Sequence, residues 1–394
     1  MISLLPRRVA LSGVLLLSLT TAARKARAQT AGQSSDAVPF APIEKPSYFW
    51  IGWPRNAYYE GEMRIPVYLW SRTAALRPAN GRPQDDNSAP CLTGVAAALF
   101  APLRFVIRPA RRSGATLDTA GGVGTGCTIQ FIPHFIVRQL NDTSAPVRTP
   151  TFNPTFTLNW YTLIVESDTE RKSRLARERA PVPMDSLRQG KLVTLHFTVA
   201  HYSNGQAGCL YVNETPDDCV PDPAKPDTLN TRDGSFSTDY LEYGSTVMKV
   251  HLGEDAAEKS AVAGIFLVRW NPPGSILGEM SDEQARTYRR WSILGGSFAR
   301  WDANSLFWMD LKNLRTLRIE GECAINRPKP YLDCRSTIDG YISFPSMYGF
   351  GFAARYVTGW DYYNVGYGHH LRNTRSKFPA LGLVLDHSHP LRIK

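Results

Sequence analysis

The segment Lys191–Ser203, KLVTLHFTVAHYS, alternates between two kinds of side chain. Its odd positions are apolar from Val193 to Val199 and then end in His201 and Ser203, whereas its even positions are mostly polar. Because successive side chains of a strand point to opposite faces, one face is apolar until it ends in an imidazole and a hydroxyl. In a water-soluble protein that face would be core, and burying both polar groups there would be costly. The pattern therefore predicts a strand of a membrane β-barrel whose apolar face meets lipid.

Similar segments recur along the chain, rich in β-branched and aromatic residues and bounded by Gly, Pro, Asn or Asp. Trp and Tyr cluster near their ends, for example at Tyr48-Phe49-Trp50. These aromatic residues fit the interfacial girdles of a membrane barrel and equally the core and rim of a soluble β-sandwich. The segments predict an all-β fold, an antiparallel transmembrane β-barrel of about 12 strands within residues 48–394. We expect the strands at Glu62–Ser71, Leu103–Ile107, Thr128–Leu140, Thr155–Val165, Leu192–Tyr202, Thr238–Leu252, Val262–Trp270, Leu306–Leu311, Arg315–Ala324, Tyr341–Phe344, Gly349–Thr358, Tyr362–His369 and Pro379–Leu385.

Two stretches are predicted to be helical instead. Glu170–Arg179 is strongly charged, and Ser281–Trp291 begins with a capping box formed by Ser281 and Gln284. No run of about 18 or more apolar residues occurs, so the sequence excludes a helical membrane protein. Neither a repeat nor a linker indicates a second folded domain.

The first residues have the three parts of an export signal. MISLLPRR is basic, VALSGVLLLSLTTA is apolar, and Ala26-Arg27-Ala28 is a small-x-small cleavage site. We expect residues 1–28 to be a signal peptide, a mature chain beginning near Gln29, and residues 29–47 to be a flexible N-terminal segment. A barrel that is exported in this way belongs in the outer membrane.

The six cysteines form an even set in an exported chain, which indicates disulfides. Pairs Cys209–Cys219 and Cys323–Cys334 each flank a short polar segment, and Cys91–Cys127 follows by elimination, although six cysteines allow 15 connectivities. Zinc is disfavoured because paired C-x₂₋₄-C spacings are absent.

The net charge of +10 could indicate a nucleic-acid partner. Export makes an anionic lipid surface the better partner, and a basic surface that is simply solvated explains the charge about equally well. We therefore expect no nucleic acid.

His201 and Ser203 have the spacing that an activated nucleophile requires. Residues i and i+2 of a strand are about 6.5–7 Å apart with parallel side chains, so the imidazole can take the hydroxyl proton. Asp239, near the start of the next long strand, is the candidate to orient the imidazole. Gly205 can offer its amide to an oxyanion. The alternative is that His201 and Ser203 are an ordinary polar cap on a strand entering a loop.

Three blocks of the sequence resemble outer membrane phospholipase A, a 12-stranded barrel that cleaves acyl chains from phospholipids. Ala200–Gln206 is similar to that family's His-x-Ser-Asn-Gly-Arg catalytic block, Gln139–Leu158 to its Ser-x-Pro-x-Arg segment, and Arg355–Leu385 to its last two strands. The N-terminal strand Glu60–Ser71 is also similar. The likeness extends over most of the mature chain, with gaps between the blocks.

The resemblance implies a phospholipase with His201 as base, Ser203 as nucleophile, and the Gly205 amide as oxyanion donor. It also implies calcium and a homodimer, with Ser144 and the Gln206 carbonyl as ligands. Four features depart from the family. Gln206 stands where the family has Arg, and Asp239 stands where it has Asn. The loop 207–234 is much longer than the family's loop, and the last strand is followed by a polar tail where the family ends on an aromatic residue.

Two other functions remain open. A lipid A deacylase is also an outer-membrane barrel with a His-x-Ser motif, but its chain is shorter and its third residue is usually Glu. A catalytically inactive barrel, serving as a pore or a structural protein, would need neither His201 nor Ser203.

Overall fold

The computed structural model describes the strands of one barrel and the elements that connect some of them. The described residues are 45–52, 59–73, 77–78, 122–139, 151–178, 187–203, 209, 219–220, 224, 237–253, 258–272, 291–303, 312–325, 332–359 and 378–386. The predicted signal peptide, the predicted strands at 103–107, 306–311 and 362–369, and the helix predicted at 281–291, except its last residue, lie outside these ranges.

Twelve antiparallel strands form the wall. Three of them are interrupted: β2 consists of Tyr59–Arg64, Val67–Thr73 and Arg77–Pro78, β3 of Gly122–Ile132 and His134–Gln139, and β4 of Thr151–Phe152 and Thr155–Val165. The others are β1 Ser47–Gly52, β5 Arg188–Ser203, β6 Ser237–Leu252, β7 Glu258–Trp270, β8 Trp291–Ala303, β9 Asn313–Ile325, β10 Leu332–Phe344, β11 Phe350–Gly359 and β12 Phe378–Leu385.

Each strand pairs with the next along the chain, and β12 pairs with β1 from Ser47 opposite Leu385 to Gly52 opposite Ala380. This last ladder closes the sheet, so the predicted antiparallel 12-stranded barrel is confirmed. Closure leaves no free sheet edge whose backbone N–H and C=O groups would need another partner.

The differences from the predicted strands have local causes. Pro66, Pro133 and Pro154 interrupt β2, β3 and β4, because proline has no N–H to donate to a ladder. Strands β1 and β8 were not predicted. In β8 the pair Gly295-Gly296 has no side chains, so the alternation of apolar and polar residues is interrupted.

The wall is apolar outside and polar inside. Most of the exposed large apolar side chains belong to the outward-facing set of their strands, among them Val199, Val262, Phe266, Ile319, Phe352 and Leu381. The inward-facing side chains include many buried polar and charged ones, such as Glu62, His134, Arg300, Arg318 and Asp339. An outer face with so many large apolar side chains is unlike the surface of a water-soluble barrel.

Ion pairs fill much of the described interior. Arg355 donates to both carboxylate oxygens of Asp339 at 2.7 and 3.0 Å and stacks over Trp50 at 4.4 Å from the ring centroid. Arg300 makes a similar two-pronged contact with Glu258, at 2.8 Å for each bond. Toward the end of the barrel that holds the β4–β5 connection, the interior becomes an apolar cluster around Leu192, Val250 and Phe298.

The connection between β4 and β5 contains α1, Asp168–Glu178, which confirms the helix predicted at 170–179. Ser167 and Glu170 cap it reciprocally: the Ser167 hydroxyl accepts from the Glu170 amide, and the Glu170 carboxylate accepts from the Ser167 amide. No helix among the described residues is long and apolar enough to cross a membrane.

Two of the predicted disulfides, Cys209–Cys219 and Cys323–Cys334, are present. Cys323 and Cys334 face each other across the β9–β10 ladder, close to the turn. Cys127 is also disulfide-bonded, and its predicted partner, Cys91, lies outside the described residues.

We predict that Asp339→Ala lowers the free energy of unfolding by about 3–5 kcal/mol, because it leaves the Arg355 guanidinium buried without its two-pronged partner. Tryptophan fluorescence of the refolded barrel in urea measures the change. Ser336→Ala, on the outward face of the same strand, is the matched control and should stay within about 0.5 kcal/mol of the wild type. Equal stability of the two variants would contradict a stabilising role for this ion pair.

Candidate active site

Four outward-facing side chains form a two-by-two patch at one end of strands β5 and β6. His201 and Ser203 end β5, and Ser237 and Asp239 begin β6. In the ladder His201 lies opposite Asp239 and Ser203 lies opposite Ser237. Side chains at directly opposed positions of an antiparallel pair point to the same face and are within reach of one another. The predicted hairpin between residues 203 and 238 therefore brings Asp239 to His201.

The imidazole of His201 is hydrogen-bonded at both nitrogens. Its Nδ1 is 2.7 Å from Asp239 Oδ1, and its Nε2 is 3.2 Å from Ser237 Oγ. The side chains of His201 and Asp239 are 23% and 15% exposed, so both are shielded and still reachable. The carboxylate can only accept, so the ring donates Nδ1–H and its Nε2 accepts from a hydroxyl.

This tautomer gives the imidazole the property of a general base. Its unprotonated Nε2 faces the hydroxyl-bearing side of the patch, while Asp239 fixes the ring orientation and favours the imidazolium that forms after proton transfer. The arrangement of carboxylate, imidazole and serine hydroxyl is the one that activates a serine for attack on a carbonyl carbon.

The backbone beneath the imidazole is held by the interrupted strand β4. The His201 amide donates to the Pro154 carbonyl at 3.2 Å, and the Asn153 amide donates to the His134 carbonyl at 2.8 Å. On the inner face, Asn153 Oδ1 accepts from the Tyr240 hydroxyl at 3.0 Å. Hydrogen bonds at the interruption of β4 therefore reach β3 on one side and β5 and β6 on the other.

The same inner network continues along the wall to the neighbouring strands β3 and β2. Asn153 Nδ2 lies 3.4 Å from His134 Nδ1, and His134 Nε2 donates to Glu62 at 3.0 Å. On the other side of the patch, Asn271 donates to the Asp239 carbonyl at 3.4 Å. These buried contacts hold the strand ends that carry His201 and Asp239 in one arrangement.

Apolar side chains surround the patch on the outer wall. Phe156 and Val199 are 52% and 45% exposed, and Phe152, opposite Ser203, is 40% exposed. Next to β6, Trp270 of β7 stacks on Trp291 of β8, with ring centroids 5.8 Å apart. A substrate that reaches the hydroxyls therefore lies against an apolar surface.

His196, on the same strand, differs from His201 because it lies on the inner face of the wall. It faces inward, donates Nδ1–H to Asn159 at 2.6 Å and accepts from Thr246 at 2.8 Å. Five positions separate it from His201, so the two rings lie on opposite faces of β5.

The described part of the chain brings together His201, Ser203 and Asp239 of the predicted site. Gly205, Ser144 and Gln206, predicted as oxyanion donor and calcium ligands, lie outside it. No cluster of three His, Cys, Asp or Glu side chains suited to a metal occurs among the residues that the structure describes.

Ser237 was not predicted. Its signal is the alternation of β6, which puts Ser237 on the same face as Asp239, but only the register of the ladder places it against His201. Register depends on both strands, so the sequence of β6 alone cannot give it.

We predict that Asp239→Ala slows covalent labelling of the site by a fluorophosphonate about 10- to 100-fold, because the imidazole loses a hydrogen bond to a charged group. Asp239→Asn should keep most of the rate, since an amide oxygen can still accept Nδ1–H. His251→Ala is the control, because His251 contacts Ser260 at 2.9 Å on the same outer face at the other end of β6. Labelling that is equally fast in Asp239→Ala would rule out the orienting role.

No family model, no curated protein and no solved structure matches this chain. The chemical role of the site therefore follows from the contacts of His201 and from the face of the wall on which they lie.

Proposed function

We propose that this protein is an outer-membrane phospholipase, which hydrolyses acyl ester bonds of phospholipids with Ser203 as nucleophile, His201 as base and Asp239 as orienting group. The observation that carries the proposal is the imidazole of His201, held between a carboxylate and a serine hydroxyl on the outward, apolar face of the barrel.

The bonds that are made and broken belong only to these side chains, the ester and water. Ser203 Oγ attacks the ester carbonyl carbon and gives its proton to His201 Nε2. The tetrahedral intermediate collapses, and the glycerol oxygen leaves with that proton. Water then attacks the acyl-serine with the same base, which releases a fatty acid and restores Ser203.

The choice of a lipid substrate is supported by the outer surface. Trp291 and Trp301 both face outward on β8, ten positions apart. At about 3.3 Å per residue and a strand tilt of about 40°, they are separated by about 25 Å along the barrel axis, the height of the apolar band of an outer-membrane barrel. Such a wall faces acyl chains, and polar headgroups begin at its rims.

The patch lies near one of these rims. Trp291 pairs with Trp270, and Trp270 pairs with Leu241, two positions from Asp239. Aromatic side chains at this level mark the membrane–water boundary, where the ester bonds of phospholipids are found. The predicted export signal and the resemblance to outer membrane phospholipase A support the same location.

The interior supports catalysis on the wall rather than passage through the barrel. Arg355 of β11 contacts Asp339 of β10 and reaches Glu62 of β2 at 3.4 Å, and Lys45, just before β1, pairs with Glu320 of β9. The contacts with Glu62 and Glu320 link strands that are not neighbours, so these side chains project into the interior and narrow the passage that a pore needs.

Calcium and a homodimer are part of the proposal because the resemblance implies them. The proposed ligands, the Ser144 hydroxyl and the Gln206 carbonyl, are oxygen donors of the kind that calcium prefers. Ser144 precedes β4, whose Phe152 pairs with Ser203, so the two segments start from the same end of the wall. When bound, calcium supplies positive charge near an oxyanion.

We expect the purified protein in mixed micelles of phospholipid and detergent to release free fatty acid, and Ser203→Ala to reduce the rate roughly 1,000-fold or more, because the acyl acceptor is gone. His251→Ala should retain the wild-type rate, since His251 lies at the far end of β6. Both variants need a wild-type heat-denaturation profile.

If neither the wild type nor Ser203→Ala releases fatty acid, with calcium present and lipid in excess, the hydrolase proposal fails. The alternative of a catalytically inactive barrel then remains. Release from lipid A in place of phospholipid would favour the deacylase instead. Parallel assays on both substrates separate these outcomes.

We also expect a chelator to lower fatty-acid release roughly tenfold or more, with recovery on addition of Ca²⁺ but not of Mg²⁺, which prefers a smaller octahedral site. Ser144→Ala should weaken the response to calcium. Release that is indifferent to the chelator would remove the ligand roles of Ser144 and Gln206 and leave those of His201 and Ser203 unchanged.

A further inference from the structure

The hydroxyl that contacts His201 Nε2 belongs to Ser237, on the neighbouring strand. Ser237 lies directly opposite Ser203 and two positions before Asp239, so all four side chains of the patch face outward together. The site therefore has two serine hydroxyls, one on each strand, and a single Nε2 atom.

A hydroxyl suits both protonation states of the imidazole. Ser237 donates its O–H to Nε2 while the ring is neutral, and after rotation of the O–H bond it accepts from Nε2–H when the ring carries the proton of Ser203. A carboxylate there could only accept, and an amine would repel the imidazolium.

Whether Ser237 speeds or slows the reaction depends on the relative strength of two hydrogen bonds, the one to the neutral imidazole and the one to the imidazolium. In the resting site the Ser237 hydroxyl competes with Ser203 for the lone pair of Nε2, which opposes catalysis. Hydrogen bonds to a charged partner are about twice as strong as those between neutral groups. The bond to the imidazolium therefore outweighs the bond to the neutral ring, so the transition state gains more than the ground state.

We propose that Ser237 is a positioning residue of the hydrolase site, which holds His201 Nε2 at the outer face and stabilises the imidazolium while Ser203 carries the acyl group. The inference rests on the proposed function. The proton of Ser237 stays on Ser237, and the only bonds made and broken are those of Ser203, the ester and water.

The test compares Ser237→Ala with Ser237→Thr, using a chromogenic short-chain ester in detergent micelles. We expect Ser237→Ala to lower kcat about five- to tenfold and to leave KM within twofold, because the lost bond acts on the transition state. Ser237→Thr should recover at least half of the wild-type kcat, because its hydroxyl can make the same contact. Peptide mapping after fluorophosphonate labelling should find the label on Ser203 in all three proteins.

Three results would overturn the proposal. They are an unchanged kcat in Ser237→Ala, a Ser237→Thr variant as slow as Ser237→Ala, and a label that maps to Ser237, which would make Ser237 the nucleophile. Loss of activity in Ser203→Ala together with either of the first two results leaves the proposed function intact. A label on Ser237 would also overturn the assignment of Ser203 as the nucleophile.

A second measurement does not depend on turnover. With ¹⁵N-labelled histidine, the Nε2 resonance of His201, assigned by its loss in His201→Asn, should shift in Ser237→Ala and return toward the wild-type position in Ser237→Thr, because acceptance of a hydrogen bond changes the shielding of that nitrogen. An Nε2 resonance unchanged by Ser237→Ala would contradict the contact, whether or not the protein hydrolyses esters. A wild type that is inactive while this resonance moves would overturn the proposed function, and with it the catalytic role of Ser237, but not the contact between Ser237 and His201.

Discussion

The ladder between β12 and β1 is the constraint on which the rest of the structure depends. It joins the last strand to the first, so that every strand of the wall has two partners and the backbone needs no solvent at an edge. Once the wall is closed, each strand must send alternate side chains inward and outward. The buried ion pairs, the apolar exterior and the placement of His201 all follow from that alternation.

Much of the wall was predictable because alternation is a local property. The strand Thr155–Val165 was predicted with its observed bounds, and α1 was predicted within two residues at each end. Strand β8 was missed because Gly295-Gly296 removes two side chains from the pattern. Strand β1 is only six residues long, and its aromatic residues were interpreted only as a cluster near a segment end.

The site was predictable in part for the same reason. The face shared by His201 and Ser203 could be seen in one strand, and Asp239 could be placed by the length of a hairpin. The contact of Ser237 with the imidazole depends on the pairing of two strands to the exact residue, and a slip of one position would turn Ser237 inward. The site therefore depends on cross-strand register as much as on the motif.

The three prolines in β2, β3 and β4 lie along one continuous line. Where ladder pairing lapses, single bonds cross it: Ile65 to Pro133, Asn153 to His134, and His201 to Pro154. The line runs obliquely through the wall and ends beneath the imidazole. Along this line fewer backbone hydrogen bonds join neighbouring strands than in an uninterrupted ladder. His201 lies at the end of the line, so the interruption of β4 meets the backbone of the proposed base through the bond to the Pro154 carbonyl.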